Sequence, residues 1–350
     1  MNKPFSLLGD SLEKEIKRWT GFGSVWNSDN PEIGLTPRQA VWKKNKATLW
    51  YYPAEEKKFR TPLFLIYSLI NQPSILDLAP NNSFIEIMTK SGYDVYLFDF
   101  GIPGYEDREI GMENYIVDYI QKGVQRALRH SKAEEISLMG FCLGGTFAAM
   151  YAAVADEPIK NLLLFVSPID FAQSSLFDQW VKALKEEGIE LDSAVDSLGL
   201  IPAKYMEYGM RLLTSPIYAS PYLALLNRAD DPNYVEKWRR FNQWAKGHIP
   251  LTGAVAKDIT NKLVKDNGLV NGTIDLGEKR VDLGNIHADL LVVSGEEDRL
   301  VPASTSSAVM NFVSSKKKEY VLIKGGHASL LKGKMPDFIE NWLPQRSNRI

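Results

Sequence analysis

The fold is decided by residues 136–146, which read ISLMGFCLGGT. An apolar, β-forming run ends at Gly140, and a helix-forming stretch begins after Cys142. The central side chain of so sharp a strand-to-helix turn is strained and exposed, and flanking glycines are needed because a Cβ there would clash with the neighbouring strand and helix. A helix N-terminus also favours thiolate over thiol. A lone cysteine is more often a small buried hydrophobic residue, but the surrounding glycines favour a nucleophile elbow with Cys142 as the nucleophile.

Short apolar runs alternate with amphipathic helical patterns on both sides of this elbow. Strands buried on both faces are predicted at residues 63–70, 94–98, 135–139 and 160–166, and two further strands are predicted at 288–294 and 319–323. Such alternation predicts an α/β fold, with a mostly parallel central sheet and helices on both faces. Residues 171–277 interrupt the alternation, because they are rich in aromatic side chains and mainly helical in pattern. We interpret them as an inserted cap.

These patterns divide the chain of 350 residues into three segments. Residues 1–170 form the first part of the core and open with a helical segment over about 1–35. Residues 171–277 form the cap, and residues 278–350 complete the core. A chain of this length can bury a large core.

Composition excludes several classes of function. A formal net charge of −2, with scattered basic residues, gives no electrostatic case for nucleic acid. No apolar run is long enough to span a membrane, and a single cysteine suits a reducing compartment, so we expect a cytoplasmic protein. The four histidines are far apart in sequence and no phosphate-binding glycine loop is present, so nothing calls for a metal or a cofactor.

A thiol nucleophile needs a base within hydrogen-bond reach and a carboxylate that orients the base. In elbow enzymes the chain order is nucleophile, acid, histidine. Asp298 lies in the loop SGEEDRLVP after one predicted strand, and His327 lies in KGGHA after the next. Because the carboxyl ends of parallel strands meet at one edge of a sheet, we predict a Cys142, His327, Asp298 triad. The alternative acids are Asp170, Glu296 and Glu297.

An oxyanion hole would combine the N–H of the residue after the nucleophile with an N–H from the loop after an earlier strand. The first donor is Leu143. Leu69 and Ile70 are the candidates for the second donor on position alone, and we assign Ile70.

The choice of a thiol over a hydroxyl points to the reaction. Attack by cysteine on a thioester exchanges one thioester for another at little cost in free energy, and the acyl group stays activated. Attack by serine would instead give a more stable oxygen ester. The thiol therefore favours acyl transfer from a thioester donor.

The motifs resemble those of poly(3-hydroxyalkanoate) synthases, the polymerases that build storage polyester from (R)-3-hydroxyacyl-CoA. The matching segments are GFCLGG (140–145), LIYSLIN (65–71), ILDL (75–78), DVYLFD (94–99), VDLGNI (281–286) and the loops of Asp298 and His327. The resemblance runs from about residue 34 to the C-terminus.

This resemblance implies an α/β-hydrolase fold and an acyltransferase. Cys142 would carry the growing polyester chain as a thioester, His327 would deprotonate Cys142, and Asp298 would act with His327 to activate the 3-hydroxyl of the incoming monomer, short-chain 3-hydroxybutyryl-CoA by expectation. The short chain is similar to the catalytic subunits of the two-component synthases (class III/IV). The resemblance then implies a second subunit of the R type or E type, a homodimer through the cap and a place at the surface of polyester granules. CoA is product, and no cofactor is implied.

Two alternatives remain open from the sequence. One is a cysteine-nucleophile hydrolase of the dienelactone-hydrolase type, in which water accepts the acyl group. The other is a non-catalytic subunit that binds granules or partners through the aromatic cap.

Overall fold

The computed structural model describes residues 4–27, 29–174, 182, 191–214, 220–328 and 337–350. Its central feature is an eight-stranded sheet. In chain order the strands are β1 (Gln39–Lys44), β2 (Ala47–Tyr52), β3 (Leu63–Ile66), β4 (Val95–Asp99), β5 (Ile136–Phe141), β6 (Ile159–Phe165), β7 (Asp289–Gly295) and β8 (Lys318–Ile323).

Across the sheet the strand order is β1-β2-β4-β3-β5-β6-β7-β8. The pairs β1–β2 and β2–β4 are antiparallel, and each later pair is parallel. The mostly parallel α/β sheet predicted from the sequence is therefore confirmed. One strand is shorter than predicted, because β3 ends at Ile66 and residues 67–70 belong to the loop that follows.

The antiparallel hairpin β1–β2 was not predicted. A two-residue turn joins its strands, and Asn45 in that turn adopts a positive φ of 51°. Asparagine tolerates the left-handed region better than most residues do, so the turn was the available signal.

Helices cover both faces of the sheet. The described helices are α1 (Pro4–Asn27), α2 (Phe84–Lys90), α3 (Lys122–Ser131), α4 (Leu143–Val154), α5 (Leu191–Leu198), α6 (Ala203–Thr214), α7 (Ser220–Arg228), α8 (Pro232–Ala245), α9 (Gly253–Asp258), α10 (Gly268–Asn271), α11 (Ala303–Ser307) and α12 (Asp337–Trp342). Two π-helical segments, Asn114–Gln121 and Ile259–Lys265, lead into or continue these helices.

Strand β3 shows how the core is built on both faces. Phe64 and Ile66 pack in one apolar cluster, and Leu63 and Leu65 pack in another. Successive side chains of a strand point to opposite faces, so both faces of the sheet are buried. All four residues are fully buried, and each such side chain contributes about 1.5–3 kcal/mol to folding.

The described residues between β6 and β7 are mainly helical, with two short antiparallel pairings that the sequence did not predict. Leu200–Ile201 pairs with Leu251–Thr252, and Asp275–Leu276 pairs with Lys279–Arg280. The N-terminal helix α1 packs against α7 and α8 of this region, where Phe22 and Val25 join the apolar cluster around Leu225. The boundaries of the cap at residues 171 and 277 stay a prediction.

No helix in the described part of the chain combines the length and the apolar character needed to cross a membrane.

Candidate active site

Cys142 lies at the turn between β5 and α4, as the elbow pattern predicts. Its φ of 54° and ψ of −130° are strained for a residue with a side chain. The turn is held by backbone hydrogen bonds: the Cys142 amide donates to the Phe165 carbonyl (3.0 Å), and the Cys142 carbonyl accepts from the Gly145 amide (2.9 Å). The strain is therefore fixed by β6 and by the first turn of α4.

Two glycines of the elbow are required by close approach. A Cβ on Gly140 would clash with the Cα of Gly145, and a Cβ on Gly144 would clash with the carbonyl oxygen of Ile66. Gly144 also meets the backbone carbonyl of Tyr67. The end of β3 can thus lie directly against the start of α4, and this brings the loop after β3 close to the nucleophile.

Asp298 and His327 meet at the carboxyl edge of the sheet. His327 Nδ1 lies 2.8 Å from Asp298 Oδ2. The other carboxylate oxygen, Oδ1, accepts the backbone amides of Leu300 (3.0 Å) and Val301 (2.9 Å), and the Asp298 side chain is completely buried. The two loops are also joined by the Glu297 amide, which donates to the Gly325 carbonyl (3.0 Å). The backbone amides therefore hold the Asp298 carboxylate in the position from which it orients the His327 imidazole.

The electrostatics of His327 link it to both partners. Desolvation acts to lower the pKa of His327, but the negative charge of Cys142 as a thiolate, hydrogen bonds with Asp298 and Cys142, and the Asp298 charge raise that pKa to about 10. An imidazolium beside a thiolate is the arrangement that activates a cysteine nucleophile. The structure brings together the three residues that the sequence selected.

The rival acids are placed elsewhere. Asp170 Oδ1 accepts the Ala172 amide (3.2 Å) and the Asn267 side-chain amide (2.8 Å), so it caps its own turn. Glu296 and Glu297 are exposed.

The other three histidines either contact other residues or lie on the surface. Tyr96 Oη lies 2.7 Å from His130 Nδ1, and His130 is exposed in the last turn of α3. His248 bridges to Asn71 through its backbone, and burial lowers the pKa of His248. His287 is exposed before β7.

The oxyanion-hole assignment of Leu143 and Ile70 stays a prediction. Leu143 is the first residue of α4, where a backbone N–H has no acceptor within the helix. The amide of Ile70 donates to Ser68 Oγ at 3.2 Å, within the same loop. An oxyanion at Ile70 would have to replace that hydroxyl as the acceptor.

Two features of the loop after β3 were missed in the sequence. Tyr67 is buried, and desolvation together with the charge of Cys142 raises the pKa of its hydroxyl well above the usual value. Asn71 joins this loop to the cap, since its Nδ2 donates to the Trp244 carbonyl (2.9 Å) while Trp244 Nε1 donates to the Gln72 carbonyl (3.0 Å). The segment LIYSLIN is one of the motifs shared with the family. Its contact with Trp244 joins residues that lie far apart in the sequence, so no local pattern predicts it.

Within the described ranges, no group of three or more His, Cys, Asp and Glu side chains is placed to hold a metal ion.

Comparison with known proteins defines the class first. Residues 71–334 match the family model of the alpha/beta hydrolase fold. That match spans more than half of the sequence, so the chain belongs to the α/β-hydrolase fold family. Among solved structures, a soluble variant of monoglyceride lipase from Saccharomyces cerevisiae has a TM-score of 0.58 and 15% identity, and it covers 92% of this chain and 100% of the lipase. This likeness supports the fold alone.

Curated relatives give the closer match. The poly(3-hydroxyalkanoate) polymerase subunit PhaC of Thiocystis violacea is 29% identical over 99% of this chain and 100% of its own length. The subunit of the same name from Allochromatium vinosum is 28% identical over 98% of each chain. Residues 30–88 also match the family model of the N-terminus of poly-beta-hydroxybutyrate polymerase. The resemblance drawn from the motifs is confirmed over nearly the full length.

Proposed function

We propose that this protein is the catalytic subunit of a poly(3-hydroxyalkanoate) synthase, an acyltransferase that polymerises (R)-3-hydroxyacyl-CoA and releases CoA. The observation that carries the proposal is the similarity over almost the whole chain to curated polymerase subunits. The arrangement of Cys142, His327 and Asp298 supports it, because a thiol nucleophile suits a thioester donor.

The first step of the proposed reaction loads Cys142. The thiolate attacks the carbonyl carbon of the acyl-CoA thioester, and N–H donors at Leu143 and the loop after β3 stabilise the oxyanion. The bond from the carbonyl carbon to the CoA sulfur then breaks, and the CoA thiolate takes a proton from the His327 imidazolium. The products are the acyl thioester of Cys142 and free CoA.

The second step lengthens the chain. Neutral His327, held by Asp298, accepts the proton of the 3-hydroxyl of an incoming monomer. The alkoxide attacks the thioester carbonyl, so that an ester bond forms, the bond to the Cys142 sulfur breaks, and the thiolate is regenerated beside an imidazolium. The lengthened chain, now on CoA, returns to Cys142 by thioester exchange at little cost in free energy.

Several finer elements belong to the same proposal. The monomer is short, with 3-hydroxybutyryl-CoA as the first candidate, and the reaction needs no cofactor because both steps are acyl transfers. A second subunit of the R or E type, a homodimer through the cap, and a cytoplasmic location at the granule surface follow from the resemblance. The packing of α1 against α7 and α8 gives the cap an N-terminal helix of its own that a partner can contact.

The test is CoA release from (R)-3-hydroxybutyryl-CoA by the purified protein, with insoluble polyester assayed in the same tube. Wild type is compared with Cys142→Ala and Cys142→Ser, and each is assayed with and without a candidate second subunit. Release of CoA together with polyester, both lost in Cys142→Ala, is the expected result.

Other outcomes select the alternatives. CoA release with only free 3-hydroxybutyrate as product would establish a hydrolase and contradict the proposal. Activity that Cys142→Ala retains would remove Cys142 from the mechanism. No release by wild type, with or without the partner, would favour a non-catalytic role.

A further inference from the structure

The Ile70 amide is not free to meet an oxyanion in the structure, because it already donates to Ser68 Oγ at 3.2 Å. An oxyanion is stabilised by donors that are aimed at it before it forms. The Leu143 amide is one such donor, since it has no acceptor within α4. A second donor that needs no rearrangement must therefore come from another group beside Cys142.

Tyr67, the first residue after β3, lies against the nucleophile elbow with both its main chain and its side chain. A Cβ on Gly144 would clash with the Tyr67 backbone carbonyl, so the two backbones are in close contact. The Tyr67 ring lies beside the ring of Phe141, the residue before Cys142, with the centroids 6.3 Å apart. The phenol is also within electrostatic range of the Cys142 thiolate. Tyr67 thus contacts the residues on both sides of the reacting cysteine.

Packing holds the Tyr67 ring in place. Phe141 stacks on Phe165 with the centroids 4.8 Å apart, and Phe84 meets Phe141 edge to face at 5.6 Å. Tyr67 belongs to the same apolar cluster and is only 7% exposed. A donor that is held by its packing needs little reorganisation when the oxyanion forms, and this is the condition for electrostatic catalysis.

The Tyr67 hydroxyl is available as a donor. Among the hydrogen bonds of the described residues none involves this hydroxyl, and only burial and the negative charge of Cys142 act on its pKa. A buried tyrosine O–H group usually has a hydrogen-bond partner, so its lack of one beside a nucleophile indicates a ligand. Both influences raise the pKa of the phenol well above the usual value, so the group keeps its proton when Cys142 is a thiolate.

An acyl group brings the missing acceptor. The interaction of Tyr67 with the resting Cys142 is electrostatic and includes no hydrogen bond. When the thiolate attacks an acyl group, the carbonyl oxygen lies two bonds away from the sulfur and takes up the negative charge. A hydrogen bond to that oxygen strengthens as the charge develops, so it favours the transition state over the ground state.

We infer that Tyr67 is a catalytic residue whose hydroxyl donates a hydrogen bond to the carbonyl oxygen of the acyl group as Cys142 attacks it. This O–H donor acts beside the N–H donors and leaves the Ile70 amide with Ser68. No proton is transferred: the oxygen becomes negative as the bond from sulfur to carbon forms, and it returns to a carbonyl when the bond to the CoA sulfur breaks. The inference rests on the proposed function, because it assigns a donor to the proposed loading step.

The test compares acylation with alkylation of Cys142. p-Nitrophenyl butyrate acylates the sulfur through an oxyanion, whereas iodoacetamide alkylates it by displacement of iodide at a saturated carbon, where no oxyanion forms. For Tyr67→Phe we expect the acylation rate, measured as the burst of p-nitrophenolate, to fall by about 10²–10³-fold, the loss that follows removal of one oxyanion donor. We expect the alkylation rate to stay at the wild-type value. A purely structural role of Tyr67 would slow both reactions.

Tyr93→Phe is the matched control. Tyr93 is buried in the same apolar cluster, but it precedes β4 at the opposite edge of the sheet, and its hydroxyl donates to Ser347 Oγ at 3.3 Å. Both reactions of Cys142 should keep their wild-type rates in this variant. Thermal unfolding checks the fold: Tyr67→Phe removes a hydroxyl that has no partner in the described part of the chain, so its Tm should not fall.

Turnover of the thioester separates this inference from the proposed function. With (R)-3-hydroxybutyryl-CoA, Tyr67→Phe should lower kcat and kcat/KM by a similar factor, because the hydrogen bond is made in the transition state. If wild type makes no polyester but Tyr67→Phe shows the expected loss of acylation alone, the donor stands and the synthase activity fails. If folded Tyr67→Phe is acylated at the wild-type rate, or if acylation and alkylation slow by the same factor, the inference is wrong, whatever product the enzyme makes.

Discussion

The change of Asp298 to Asn tests how the charge of one buried carboxylate controls Cys142. In the structure Asp298 Oδ1 accepts two backbone amides and Oδ2 faces His327 Nδ1. Asparagine has one acceptor oxygen and one donor nitrogen. Its oxygen must remain with the two amides, because turning the side chain would set its N–H group against their N–H groups. Its nitrogen then faces His327 Nδ1.

The consequence is the wrong tautomer of His327. A donor at Nδ1 forces that nitrogen to be the acceptor, so in the neutral ring the proton moves to Nε2, on the side that must accept the proton of a thiol or hydroxyl. In a serine-protease triad the same substitution lowers kcat about 10⁴-fold. A thiol is the stronger nucleophile, so we expect a loss of about 10²–10⁴-fold here, which corresponds to about 3–5 kcal/mol of transition-state stabilisation.

The assay is CoA release together with the pH dependence of Cys142 alkylation by iodoacetamide. Asp298 contributes two of the interactions that raise the pKa of His327, so its loss should lower that pKa and shift the alkylation profile. Asp170→Asn is the matched control, because Asp170 caps a turn away from His327. If Asp298→Asn keeps wild-type CoA release and an unchanged alkylation profile while Asp170→Asn behaves in the same way, the assigned role of Asp298 is wrong.

Three further predictions concern the elbow, the histidine and the N-terminal segment. Gly144→Ala should destabilise the protein by about 1–3 kcal/mol in urea unfolding, because its Cβ meets two backbone carbonyls, whereas Gly209→Ala, with open space around it, should not. The pKa of His327 is raised from 6.5 to about 10, so the stabilisation that comes from protonated His327 is complete below pH 6.5 and is lost as the pH rises to about 10. The difference in unfolding free energy between wild type and His327→Gln should therefore shrink over that pH range. A difference that stays constant would contradict this. Thr36→Val should cost about 1.5–3 kcal/mol, since the Thr36 hydroxyl donates to the buried Asp77 carboxylate at 2.7 Å; thermal unfolding measures it.

The parts of the fold that could be read from the sequence are those with a strong local pattern. Strands β3 to β7 are mostly buried and rich in apolar residues, whereas β8 is mainly exposed or half-buried and was predicted from its apolar run 320–323. Ser83 accepts the Glu86 amide at 3.0 Å at the start of α2, and serine is a residue typical of helix starts. The hairpin β1–β2 was missed because its strands are only partly buried and β1 carries two lysines, so the alternation of apolar and polar residues is weak. The end of β3 was missed because residues 67–70 stay apolar after the strand ends.

The sequence by itself determined the elbow, because glycines at 140, 144 and 145 and the cysteine between them are constraints on consecutive residues. It also determined the order of nucleophile, acid and base, since each follows its own strand. Only the tertiary structure decided that Asp298 rather than Asp170 meets His327, and that Tyr67 is buried beside Cys142. Steric and periodic constraints act between neighbours in the chain, whereas these contacts depend on how separate segments pack, and no short stretch of sequence encodes that packing.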